Sequence, residues 1–282
     1  MAKKHIVYKL GKLPARKDAF LLKFTDYFNI EALPKPPVTF GRYDKFFGWG
    51  MYQNDRVGDC VLAGGANETA NWSDEGGAKV IFTDDNVISD YSAITGFDPN
   101  AQKDDRGENT TDTGTDVGQA AKYRQKTGLI DSAGTRHKID AYVGLEAGNY
   151  DYLKVAMYLF GGVGIGIRFP ASAMKQFNAG QPWDVVEGSR IRGGHYIPGF
   201  GIDPAGNIVI VTWGQTQKMT RAFFEKYCDE VVVYLSVERF KNKISPEAFN
   251  YDALMADLTN LTNMTSIVEE EIASAKNVKP VI

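Results

Sequence analysis

The sequence predicts an α+β fold, with helices gathered in its first half and strands in its second. Residues 60–72, 83–93 and 116–127 read as helices with polar caps ahead of apolar or small-residue faces. Beyond residue 137 the pattern changes to short β-rich runs, among them 163–169, 195–202, 207–213 and 230–235. Glycines and an Asp203-Pro-Ala-Gly206 turn separate those runs, and no internal repeat is visible.

Bulk composition narrows the function classes. The chain has 282 residues, 43% hydrophobic and 24% charged, an ordinary balance for a globular protein. A formal net charge of −3 points to neither nucleic acid nor an acidic membrane as the main partner. No apolar run reaches the ~20 residues that cross a bilayer. The basic start has no apolar core behind it and is not a secretory signal. Only Cys60 and Cys228 are present, fewer than a disulfide-held secreted domain carries. Synthesis in a reducing cytoplasm is therefore expected, and a particle assembled there and later released has the same signature. No cofactor or metal motif is read.

Taken in order, residues 1–45 form an arm, because Pro14, Pro34, Pro36 and Pro37 interrupt any long helix. A short amphipathic stretch, 20–27, is expected to dock on the body. The cluster Tyr43, Phe46, Phe47, Trp49 and Tyr52 opens the globular part. Helix 60–72 follows Gly58 and a capping Asp59, and its Val61, Ala63, Ala66, Thr69 and Ala70 suit close helix contacts. Thr83 or Asp84 caps the second helix, and Gly128 ends the third. Between them lies a polar loop holding Asp98, Asp104, Asp105, Glu108, Asp112 and Asp116. It lacks an EF-hand pattern and reads as a solvated loop.

The second half opens with a strand at 138–145, then a helix at 151–160 before the buried strand 163–169. A short helix from Thr220 precedes the strand at 230–235. Cys228 is placed on that helix as inert core, His137 in a surface turn, and His5 in the arm without a role. The final helix, 250–272, spaces Leu254, Leu258, Leu261, Thr265, Val268 and Ile272 by fours and threes, a heptad seam. That seam packs either on its own body or on another chain, and 276–282 is a tail. The expected division is thus an arm at 1–45, a domain at 46–238 and an amphipathic helix with tail at 239–282.

Two motifs carry chemistry. In Gln53-Asn54-Asp55-Arg56-Val57-Gly58-Asp59-Cys60 a cysteine opens a helix after a glycine turn. The positive helix end favours a thiolate there, and with an imidazolium partner a thiol pKa falls from ~8.5 to ~3–4. In Gly193-Gly194-His195-Tyr196-Ile197-Pro198-Gly199 a histidine begins an apolar run behind two glycines, which leave room for a substrate backbone. The later run ends in Val211-Thr212-Trp213-Gly214.

The helix-start cysteine, the glycine-preceded histidine, the Gly-Ile-Asp turn and the Trp-Gly pair resemble papain and the cathepsins in order and spacing. The likeness covers about residues 48–237. Whole-chain similarity also lies with uncharacterised papain-like proteins common in bacteriophage and prophage genomes. The resemblance implies a two-lobed fold, helical over about 48–136 and β-rich over about 137–237. It makes Cys60 the nucleophile, His195 the general base, Asn54 the oxyanion amide in place of the family glutamine, and Trp213 the shield of the histidine's partner. Gln53 is a neighbouring amide candidate. That partner is asparagine in the family, but Val211 stands in its position here, leaving Thr212 or a backbone carbonyl. Asp59 is a second departure, since its charge opposes a thiolate. Gly193, Gly194 and Trp213 are expected to border the substrate.

The leading expectation is thiol hydrolysis of an amide bond in a protein or peptidoglycan peptide. The alternative is a papain-like structural subunit of a phage particle, self-associating or tied to virion partners through the arm and final helix. A transglutaminase-like acyl transfer is a third option.

Overall fold

The computed structural model describes residues 7–17, 19–20, 23–27, 35–236 and 238–239. The predicted heptad helix at 250–272 and the tail lie outside the described residues.

The elements follow the predicted order. A short α1 (Phe24–Tyr27) and β1 (Phe40–Gly41) precede α2 (Cys60–Glu75), α3 (Asp84–Thr95) and α4 (Val117–Lys126). A small hairpin, β2 (Leu129–Ile130) and β3 (Arg136–His137), leads to β4 (Ala141–Leu145), α5 (Tyr150–Phe160), β5 (Val163–Pro170) and α6 (Ala171–Asn178). Then come β6 (Ile191–Ile202), β7 (Ile208–Thr212), β8 (Gln215–Met219), α7 (Arg221–Tyr227) and β9 (Cys228–Leu235).

Among the described residues the main sheet has seven strands, in the order β4-β9-β5-β6-β7-β8 with β1 beside β6. All its pairings are antiparallel. Alternation along β9 distributes side chains to two cores. Val231, Val233 and Leu235 enter one cluster with Leu153, Met157 and Phe160 of α5 and Phe223 of α7. Val232 and Tyr234 enter the other, with Leu62 and Trp72 of α2 and Val87 and Tyr91 of α3. The sheet therefore sits between α5–α7 on one face and the early helices on the other.

Caps fix three helices as expected. Thr83 accepts from the Asn86 N–H in a capping box, Asp116 caps α4, and Thr220 caps α7. Asp59 differs: it stands at the N-cap of α2, but its side chain makes no capping bond. Cys228 also differs, because α7 ends at Tyr227 and the cysteine begins β9. The strand β8, Gln-Thr-Gln-Lys-Met, and the helix α6 after Pro170 were not anticipated as separate elements.

Candidate active site

The first turn of α2 and the middle of β6 bring Cys60 and His195 into one buried region. The Tyr196 N–H donates to Cys60 Sγ at 3.4 Å. Cys60 is fully buried, and burial pushes its thiol up to about 12, with Asp59 adding to the rise. The backbone N–H groups of Tyr196 and Gly11, and the charge of Lys12, pull the other way.

His195 is held from two sides. Its Nε2 lies 2.7 Å from Thr212 Oγ1. Its ring stacks on Trp213 at 4.6 Å between centroids and 19° between planes. Thr212, and not Val211, is thus the side chain bonded to the ring, and the Val211 side chain lies in the buried core. With Thr212 accepting the Nε2 proton, Nδ1 carries the free lone pair. Among the described residues Nδ1 has no hydrogen-bond partner, so no bond joins it to Cys60. Burial lowers the imidazole to about 3, leaving it neutral.

Asn54 is spent in its own turn. Its Nδ2 donates to the Val57 carbonyl and to Asp59 Oδ1, each at 3.0 Å. Both amide protons are then used, so this arrangement leaves no Asn54 proton for an oxyanion. Asp59 is fully buried; burial pushes its carboxyl well above the usual range despite the Asn54 bond. The acidic loop contributes more than a solvated surface. Asp112 accepts from the Gly58 N–H at 2.9 Å and the Tyr91 hydroxyl at 2.7 Å, fixing the turn before Cys60.

The arm lies in the groove between α2 and β6. The Lys12 N–H donates to the Gly194 carbonyl at 3.1 Å, beside His195. Leu13 N–H donates to the Thr115 carbonyl at 3.0 Å, and Thr115 N–H to the Gly11 carbonyl at 2.7 Å. Residue 12 is paired parallel to Thr115 and antiparallel to Gly194, so the arm behaves as a strand with a partner on each side. Upstream, Trp213 Nε1 donates to the Lys9 carbonyl at 3.2 Å, and Tyr8 stacks on Trp213 at 4.9 Å. The room at Gly194 is taken by the Lys12 carbonyl, which an added Cβ there would meet at 2.3 Å. Gly11 is tighter still, since a Cβ on it would stand 1.8 Å from the Gly58 carbonyl oxygen. At Cys60 the remaining cavity is about 10 Å³, at the lower limit for one water.

No family model and no curated protein matches the sequence. Solved structures do match the fold. Xylellain, a cysteine protease from Xylella fastidiosa, superposes with a TM-score of 0.61 at 15% identity, covering 84% of this chain and 99% of its own. The procathepsin B S9 of Trypanosoma congolense gives 0.55 at 13%, covering 83% and 88%. A Carica candamarcensis cysteine protease gives 0.51 at 10%, covering 71% and 99%.

The fold is papain-like.

Within this papain-like frame, three residues outside the predicted set touch the site: Lys12, Tyr196 and Asp112. Tyr196 was the most accessible of these from sequence, since it follows the histidine on the same strand. His137 is not a surface turn residue; its ring sits between Asp131, 3.0 Å from Nε2, and Glu238 at Nδ1. Among the described residues there is no His, Cys, Asp and Glu group suited to a metal, and no helix long and apolar enough to cross a membrane.

Proposed function

We propose that this protein is a papain-like thiol hydrolase acting on amide bonds of a peptide, with Cys60 and His195 as its dyad and its own arm seated in the cleft. The observation that carries the reading is His195 fixed by Thr212 and Trp213 with an unbonded Nδ1, while Cys60 opens α2 nearby. In the reaction His195 Nδ1 takes the Cys60 proton as sulfur attacks the carbonyl carbon. The same proton then passes to the leaving amine, and water releases the acyl group by the reverse sequence. The Cys60 N–H is one oxyanion donor. Asn54 joins it only if its amide turns away from Val57.

With the arm seated, both groups of the dyad are neutral. Moving residues 8–13 admits water, which lowers the thiol and raises the imidazole toward the ion pair. The test is hydrolysis of blocked fluorogenic peptides by the full chain and by Gly11→Ala, each with and without Cys60→Ala. Hydrolysis that survives Cys60→Ala sinks the assignment.

The sealed site also favours a second reading, a papain-like structural subunit of a phage particle. A stable multimer whose Cys60 stays inert even in Gly11→Ala is the outcome expected for it.

A further inference from the structure

The arm carries one long cationic side chain into the wall of the cleft. Lys12 runs across Gly166 of β5, where an added Cβ would meet Lys12 Cδ and Cε at 2.9 Å. Its Nζ ends 2.8 Å from Glu230 Oε1, 3.2 Å from Asp229 Oδ2 and 3.0 Å from the Leu13 carbonyl. Glu230 is more than nine-tenths buried, and among the described residues Lys12 is the cation bonded to it. A second buried pair, Glu68 with Arg124, lies wholly within the body and stays paired whatever the arm does. Glu230 does not. When the arm leaves, Glu230 loses its counter-charge and has water alone in its place until another cation enters. Burial alone would depress the Lys12 amine, but Glu230 and then Asp229 outweigh it and hold it above its ordinary range.

We infer that this slot is the specificity pocket of the cleft and takes the lysine or arginine side chain of a peptide substrate. The inference rests on the peptide-cleaving reading above and adds the substrate class. The Lys12 backbone bonds Gly194, the residue before His195, so the side chain that fills the slot belongs to a residue held beside the dyad. The missing Cβ at Gly166 gives the stem of that side chain its path. An apolar side chain of equal length leaves Glu230 unpaired and is selected against.

Protection of Cys60 from iodoacetamide, read by mass spectrometry, tests this without relying on turnover. In full-length Lys12→Met the arm is loosened, and labelling is expected to rise by about ten-fold or more. Gly11→Ala serves as the opened form if Lys12→Met fails to fold. A blocked peptide bearing lysine should then slow labelling about ten-fold more than the same peptide bearing norleucine, and Glu230→Gln should erase that difference. Equal protection by the two peptides, no protection, a preference that survives Glu230→Gln, or unchanged labelling in both opened forms overturns the inference. Hydrolysis measured in parallel separates the two claims. Protection by lysine peptides without cleavage keeps the pocket and removes the hydrolase. Cleavage without basic preference keeps the hydrolase and removes the pocket.

Discussion

Gly11→Ala is the sharpest probe of the arm. The new methyl would lie 1.8 Å from the Gly58 carbonyl oxygen, 2.2 Å from its carbon and 2.5 Å from its Cα. All three are backbone atoms, and Gly58 is itself tied to Asp112, so no rotamer change relieves the clash. The two backbones must part by more than an ångström. That displacement breaks the Thr115–Gly11 and Lys12–Gly194 bonds, each worth about 1 kcal/mol net. It also strains the Lys12–Glu230 pair, and the loss of a buried pair costs about 3–5 kcal/mol. Loss of the two backbone bonds alone shifts the balance by about 2 kcal/mol toward the undocked arm, or about 30-fold in the population exposing Cys60. Carboxamidomethylation of Cys60, followed by peptide mass spectrometry with Cys228 as internal reference, reads that population. Val38→Ala, at a side chain 87% exposed, is the control. If Gly11→Ala and wild type label Cys60 at the same rate, the arm is not what seals the site.

Thr212→Val removes the partner of His195 Nε2 and leaves a buried ring N–H unsatisfied, costing about 1–3 kcal/mol by urea denaturation. In the opened background it should also cut hydrolysis, and unchanged rates would remove Thr212 from the site. His195 makes stability depend on pH with a definite sign. Its imidazole falls from 6.5 unfolded to about 3 folded, so the unfolded chain binds the proton more readily and stability rises with pH across this window. At pH 5 the loss is about 2 kcal/mol relative to neutral pH, and His195→Gln should abolish that increment. His137 contributes with the opposite sign, because Glu238 and Asp131 raise it, so parallel loss in wild type and His195→Gln would refute the assignment. Glu68→Gln strands Arg124 in the core and should cost about 3–5 kcal/mol, while Glu68→Leu combined with Arg124→Leu should be milder; equal costs would contradict a pairing role.

Much of the frame was legible in the sequence because local signals and tertiary demands agreed. Cys60 after a glycine turn, Thr83, Asp116 and Thr220 at helix starts, and the apolar runs of β5, β7 and β9 each state their structure within a few residues. Thr212 was legible as an alternative, since Val211 has no acceptor to offer. What failed depended on partners distant in sequence. Asp59 looks like a cap until Asn54 claims its carboxylate. His137 looks exposed until Glu238 closes over it. The polar strand β8 gains its place by pairing with β7, from Ile208 opposite Met219 to Thr212 opposite Gln215, which composition does not announce. The prolines predict an arm at 1–45. Its seat in the groove required Gly58, Thr115, Gly194 and Glu230 to converge from across the chain.

That convergence has a consequence for folding order. Lys12 meets Glu230 across a sequence separation of 218 residues, and Lys9 meets the Trp213 ring nitrogen across 204. Closing so long a loop costs chain entropy before any contact returns it. The arm, made before the body it docks on, therefore has no seat until β9, among the last described strands, has been synthesised and paired with β5. During that interval the groove holding Cys60 has no occupant from its own chain. Docking of the arm then marks the completion of the sheet, and its rate sets how long a newly made molecule stays open.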